Sequence, residues 1–177
     1  NFVVNQAWSA DGNIGYVYFI GVDSASDQNS FQPIIYKSTD KGQTWNKLKP
    51  FAYNENNNLT QYLFGTRNNP AIKKPFFTDE SANAIVDYKG NLHIFSQISD
   101  GSSTHPDSLA YMYGLMLLYD VYTTSDSTFD ADIISLLATA PVTENDKVFG
   151  EGVEWLGWDH RLQVAKSSDE KKLFFIY

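Results

Sequence analysis

The stretch Ser38-Thr-Asp-Lys-Gly-Gln-Thr-Trp45, preceded by the apolar run Ile34-Ile-Tyr-Lys37, decides how this chain is read. Its residue types spell a tight turn between two strands. Asp40 is placed to accept hydrogen bonds from turn amides in the manner of an Asx turn. Gly42 permits a left-handed residue, and Thr44 is placed to tie the returning strand. Trp45 offers a large apolar face that locks the hairpin beneath it. On this reading Asp40 is a turn former and not a catalytic acid.

Outward from that turn, short runs rich in Tyr, Phe, Val and Ile alternate with Ser, Thr, Asn, Asp and Gly, the pattern of strands joined by tight turns. Residues 84–96 form the clearest hairpin, turning at 87–91, where Gly90 supplies a positive φ. A second copy pairs 3–10 with 14–20 around Asp11-Gly-Asn13, and a third pairs 162–166 with 173–177 around 167–171. The turns centre near residues 12, 90 and 170, a period of about 80. Between copies lie two further strand-like segments: 33–37 and 44–48 in the first unit, 115–122 and 129–137 in the second. The last of these also carries helical spacing in Asp130-Ala-Asp-Ile-Ile-Ser-Leu-Leu137.

Four strands per repeating unit is the arithmetic of a β-propeller blade. The predicted class is therefore all-β, a β-propeller fragment of about two four-stranded antiparallel blades plus the start of a third. The alternative is a two-sheet sandwich whose hairpins are similar by coincidence. The boundaries are 1–50 for the first blade, 51–81 and 139–160 for long inter-blade loops, 82–138 for the second blade and 161–177 for the third.

These residues give the chain its resemblance to the Asp-box (BNR-repeat) sialidase-like β-propeller superfamily. Ser38, Asp40, Gly42, Thr44 and Trp45 match the box Ser-x-Asp-x-Gly-x-Thr-Trp at every defined position, between the third and fourth strands of a unit as in that superfamily. Thr124-Ser-Asp-Ser-Thr-Phe129 is a degenerate copy, lacking the Gly and with Phe for Trp. The resemblance implies that the box is a structural fastener on the face away from the ligand. It also implies export, so a secreted or cell-surface bacterial protein is expected.

Composition narrows the rest. A formal charge of −8, with Arg67 and Arg161 as the only arginines, argues against nucleic acid as a partner, since phosphate binding needs clustered cations. No apolar run is long enough to cross a bilayer as a helix. Without cysteine there is no disulfide framework, thiolate site or cysteine nucleophile, and no metal or cofactor is expected. The triplet Asn58-Leu-Thr60 is a glycosylation sequon. The first residue is Asn1, and the closing run 173–177 reads as the middle of a strand, so further blades of the same longer chain are expected.

Antiparallel strands put alternate connections on opposite faces. The long ones, roughly 21–32, 49–82, 98–112 and 138–160, should share one rim, where function is usually carried. Tyr53, Tyr62, Phe64 and Arg67 occupy the second of them; Asp100, His105 and Asp107 the third; Glu151, Glu154, Trp155, Trp158, Asp159 and His160 the fourth. The ligand-binding candidates are Arg67, Asp100, His105, Asp107, Trp155, Trp158, Asp159 and His160. Each has a plainer reading: Asp100-Gly101 as a turn, His105-Pro-Asp107 as a loop, the tryptophans as packing.

Sialidases hold a carboxylate with three arginines, and this chain has two and no Arg-Ile-Pro element. No carboxylate pair is singled out for glycosidase chemistry, although Glu151/Glu154 and Asp100/Asp107 lie in the right connections. The expected function is a non-catalytic extracellular binding or surface module recognising protein or glycan. A glycoside hydrolase completed by other residues, and a component of a larger secretion or surface assembly, are the alternatives.

Overall fold

Strands β1 (Asn5–Trp8), β2 (Gly15–Val22), β3 (Phe31–Ser38) and β4 (Asn46–Lys47) form one antiparallel meander in the computed structural model. The structure describes residues 3–26, 30–66, 69–78, 82–101, 111–138 and 162–176, with backbone alone at 111–116 and 136–138. A 3-10 turn at Tyr53–Glu55 and helix α1 (Asn57–Thr60) follow. Next, β5 (Pro75–Phe77) and β6 (Asn83–Val86) lie end to end along β7 (Leu92–Gly101), which pairs with β8 (Tyr111–Thr123), and β8 with β9 (Phe129–Ala138). Strands β10 (Gln163–Lys166) and β11 (Leu173–Ile176) form a last hairpin. The chain is all-β and its sheets are antiparallel, as composition and turn spacing predict.

Local polar side chains explain where the strands turn. Ser9 Oγ donates to Asp11 (2.6 Å) and accepts from the Ile14 amide (2.9 Å), and Asp11 accepts from the Asn13 amide (3.0 Å). Between β10 and β11 the wiring repeats: Ser167 Oγ donates to Asp169 (2.5 Å) and accepts from the Lys172 amide (3.0 Å). Asp87 does this work alone between β6 and β7, accepting from the Lys89 and Asn91 amides at 2.9 and 2.8 Å. All three are carboxylates shorting turn amides that would otherwise be unpaired.

Residues 129–137 form the strand expected there and not the alternative helix, because β8 supplies the ladder. Two parts of the sequence reading change. Asp100-Gly101 is the end of β7 and not a turn, because Lys74 O accepts from the Gly101 amide (2.8 Å) beside the β5 pairing. Residues 51–81 are more than a connecting loop. They contribute β5 to the second sheet and send Phe51, Tyr53 and Leu59 into the core.

Strand alternation stacks the layers. Tyr16, Tyr18 and Ile20 of β2 pack toward the second sheet, meeting Leu92, Ile94 and Ile98 of β7 and Leu117, Tyr119 and Val121 of β8. The opposite face of β7 and β8 presents Phe95 and Leu118, which pack on Leu162 and Phe175, the Phe95 and Phe175 rings 4.7 Å apart. The second sheet is thus covered on both faces, whereas a two-sheet sandwich leaves one face of each sheet in solvent. Polar bonds tie the layers at the same levels: Tyr16 Oη to Gly90 O (2.8 Å), Asn83 Nδ2 to Leu162 O (3.0 Å) and Lys166 Nζ to Val86 O (3.2 Å).

The hairpin registers bring the three hairpins into correspondence. Trp8 pairs with Gly15, Val86 with Leu92 and Lys166 with Leu173 at the strand ends nearest the turns. Counting from these pairs, Tyr16, His93 and Phe174 are equivalent positions, and so are Tyr18, Phe95 and Ile176.

Candidate functional site

Among the described residues, the short turns gather at one rim, and the β2–β3 connection and the segment leading into β5 lie at the other. On the turn rim, the Lys41 amide donates to Asn13 O (3.2 Å), and Lys37 pairs with Asp126 of the β8–β9 turn at 2.5 Å. On the other rim, Ser30 Oγ donates to Pro75 O (2.5 Å) and Phe31 stacks on Phe76 at 4.9 Å, bringing the β2–β3 connection to the start of β5 and the end of β7.

The box is wired as its residue types require. Asp40 accepts from the Thr44 amide (2.9 Å), the Thr44 hydroxyl (2.6 Å) and the Ser38 hydroxyl (2.7 Å), while Ser38 Oγ accepts from the Gly42 amide (2.8 Å). These bonds, led by the Thr44 hydroxyl, hold the Asp40 carboxyl down at about 2. Gly42 sits at φ 82°, and a Cβ there would come 3.0 Å from the Trp8 ring, which meets Trp45 edge-on at 5.7 Å. The degenerate box lacks this wiring. Its turn closes through Thr124 and Thr128 hydroxyls 2.7 Å apart, and Asp126 points away to Lys37.

Asp40→Ala is expected to lower the urea midpoint at neutral pH without altering ligand binding. A carboxylate with a depressed pKa contributes stability above its unfolded value of 3.8, lost as pH falls toward about 2. The gap between wild type and variant should therefore shrink on acidification through that window. A constant gap, or a loss of binding with an unchanged midpoint, would contradict the fastener role.

On the long-connection rim, Asp100 organises the loop after α1. Only 1% exposed, it accepts from the Phe64 amide (2.9 Å) and the Gly65 amide (2.8 Å). Burial pushes its carboxyl above the ordinary value despite those bonds and the nearby Lys73 charge. Lys73 Nζ in turn donates to Leu63 O. Gly65 takes φ 91°, and a Cβ would fall 2.2 Å from Pro70 O, so no other residue fits without moving backbone. The result is a fixed loop with Leu63 buried and two aromatic side chains turned to solvent, Tyr62 at 44% and Phe64 at 52% exposure. Beside β4, the β2–β3 connection and residues 49–55 enclose an open cleft of about 500 Å³, lined by Ala25, Ser26, Lys49, Pro50, Asn54 and Glu55 among others. Asp23 pairs with Lys47 near its edge at 2.8 Å.

Of the sequence-derived ligand candidates, the structure places Asp100, as a buried loop anchor; Arg67, His105, Asp107, Trp155, Trp158, Asp159 and His160 lie outside the described residues, as do Glu151 and Glu154. Tyr53 is 1% exposed and serves packing. Among the described residues no group of three His, Asp or Glu side chains is placed to hold a metal ion.

Sequence reasoning missed one charged cluster. His93 on β7 lies between two carboxylates, Asp120 of β8 (Nδ1–Oδ2 2.8 Å) and Asp87 of the β6–β7 turn (Nε2–Oδ2 3.6 Å), and Tyr122 stacks on its ring at 5.1 Å. Burial disfavours the imidazolium, but the Asp120 hydrogen bond and the two carboxylate charges outweigh it and raise the His93 pKa. The only signal in the sequence was a His and an Asp at alternating positions of two apolar strands, which is too common to select.

No family model, no curated protein and no solved structure matches this chain.

Proposed function

We propose that this chain belongs to an Asp-box β-propeller that binds a protein or glycan, without catalysis, through its long-connection rim. The observation that carries the reading is the Asp100 clamp. A buried carboxylate is used to fix the backbone of Phe64 and Gly65, and the loop so fixed exposes Tyr62 and Phe64. Rigid exposed aromatics bring large contact area at little ordering cost, which suits sugar stacking or an apolar side chain of a partner. The propeller part is supported by the layering, in which equivalent positions of successive units face the same way, and by the wired box at Ser38–Trp45 on the rim opposite the clamp. A four-stranded sheet, a five-stranded sheet and a hairpin do not close a ring of four to eight blades, so the reading requires further repeats of the same kind. It also places the protein at a bacterial cell surface or outside the cell.

Arrays of immobilised oligosaccharides and peptides test the binding claim. The wild-type chain is expected to retain a subset of probes, and Tyr62→Ser/Phe64→Ser to lose at least about tenfold in affinity for them with an unchanged urea midpoint. Undiminished binding by the double variant would move the site elsewhere. Turnover of a fluorogenic sialoside by the wild-type chain would replace this reading with a glycoside hydrolase.

A further inference from the structure

The loop fixed by Asp100 exposes more than its two aromatics. It is one hairpin, closed where the Thr66 amide donates to Ile72 O (2.9 Å) and Thr66 bridges Asn69. Tyr62 and Phe64 stand on the first arm, and Ile72, 37% exposed, stands on the second. Leu63, between the two aromatics, is buried, so one side chain anchors the arm while its neighbours face solvent. The patch lies mid-chain, between α1 and β5, on the rim and not on a face that one sheet presents to the next.

The polar groups of this hairpin are turned inward. The amides of Leu63, Phe64, Gly65, Thr66, Ala71 and Ile72 all donate within the chain, to Thr60 O, the Asp100 carboxylate, Ile72 O and the two oxygens of Asn69. Thr66 Oγ1 donates to Asn69 O (3.0 Å), and Leu63 O accepts from Lys73 Nζ. A sugar stacked on Tyr62 or Phe64 would bring its hydroxyls against groups that are already paired, and a hydroxyl removed from water without a partner is penalised. Ile72 adds a branched aliphatic surface that offers a sugar ring no flat face. An apolar side chain of a protein needs only burial there. Charge points the same way. By sequence, residues 56–78 carry Arg67, Lys73 and Lys74 and no acidic residue, in a chain of net charge −8. Asp100, beneath the hairpin, offsets one of those three charges.

Building on the binding rim proposed above, we infer that its partner is a protein that places an aliphatic or aromatic side chain, flanked by carboxylates, on the patch formed by Tyr62, Phe64 and Ile72. Apolar contact supplies the affinity, and opposite charge steers the approach and sets the orientation.

Selection of short phage-displayed peptides on the wild-type chain tests it. The peptides recovered should combine Asp or Glu with Leu, Ile, Phe or Trp, and their affinity should fall as salt rises. Ile72→Ser, which leaves both aromatics in place, should weaken their binding at least about tenfold with an unchanged circular dichroism spectrum. Changing the Asp and Glu of the peptides to Lys should weaken binding likewise, and this arm needs no variant of the protein. Recovery of no peptide, undiminished binding to a folded Ile72→Ser variant, or tolerance of the Lys-substituted peptides would each overturn the inference. So would an oligosaccharide retained by the wild-type chain and by Ile72→Ser but lost by Tyr62→Ser/Phe64→Ser, a result that leaves the binding rim itself intact. Peptide binding that the double aromatic variant leaves unchanged would sink the rim reading and this inference together. A wild-type dimer in light scattering that Phe64→Ser abolishes would assign the patch to a second copy of the chain and overturn it as well.

Discussion

Replacing Tyr53 with alanine is expected to cost about 4 kcal/mol of stability, in the range of buried aromatic deletions. The ring is 1% exposed and meets Phe77 of β5 at 5.0 Å, Phe129 of β9 at 4.7 Å and Phe51 at 5.9 Å. It belongs to a segment outside the sheets that is wedged into the core between them, where Ile35, Leu92, Ile94 and Val121 line the same gap with no room for a water molecule. Deleting the ring leaves a cavity that two hydrogen-bonded sheets are too stiff to close. Urea denaturation measures the loss, and Tyr53→Phe, which keeps the ring, serves as control. A loss under about 1 kcal/mol for the alanine variant would mean that residues 51–59 do not hold the sheets together.

His93→Leu is expected to cost about 3 kcal/mol, the penalty of breaking a buried ion pair from one side. The substitution leaves the Asp120 carboxylate, 6% exposed, without its imidazolium partner, and among the described residues its Oδ1 has no hydrogen-bond partner. Asp87 and Asp132 add negative charge, and burial already pushes the Asp120 carboxyl up. The same cluster predicts a pH dependence. A histidine whose folded pKa lies above its unfolded value of 6.5 contributes stability in full below that value, and loses it as pH rises through the folded pKa. Wild-type stability should therefore fall on going from mildly acidic to mildly alkaline solution, and the His93→Leu variant should lack that component. Parallel profiles for the two proteins would show that His93 is not charged in the fold. The double variant His93→Leu/Asp120→Leu separates the pair from its burial: it should recover most of the loss, because two apolar side chains replace two desolvated charges.

These two predictions differ in how visible their residues are before folding. Tyr53 sits among Asn and Glu in a segment with no strand pattern, so the sequence reading sent it to the rim with Tyr62 and Phe64. Only the latter two are exposed. Nothing local separates the three tyrosyl and phenylalanyl side chains, since their fates depend on whether a sheet lies over them. Asp100 shows the same limit. Its place on the long-connection rim was legible from strand alternation, but its burial was not, because the amides of Phe64 and Gly65 come from 36 and 35 residues away.

What the sequence determined by itself is the grammar of strands and turns. The Ser9–Asp11, Asp87, Ser167–Asp169 and Ser38–Asp40–Thr44 bonds all close within five residues, so residue type and spacing suffice to specify them. The alternation that follows each turn then dictates which side chains share a face. The tertiary structure alone decided which face is covered. The His93–Asp120 pair joins positions 27 apart, and the Tyr16–Gly90 bond joins positions 74 apart. Such contacts depend on the path of the whole chain. A β-strand pattern is the same whether its neighbour is a second sheet, as for Tyr18, or open solvent, as for Ile176.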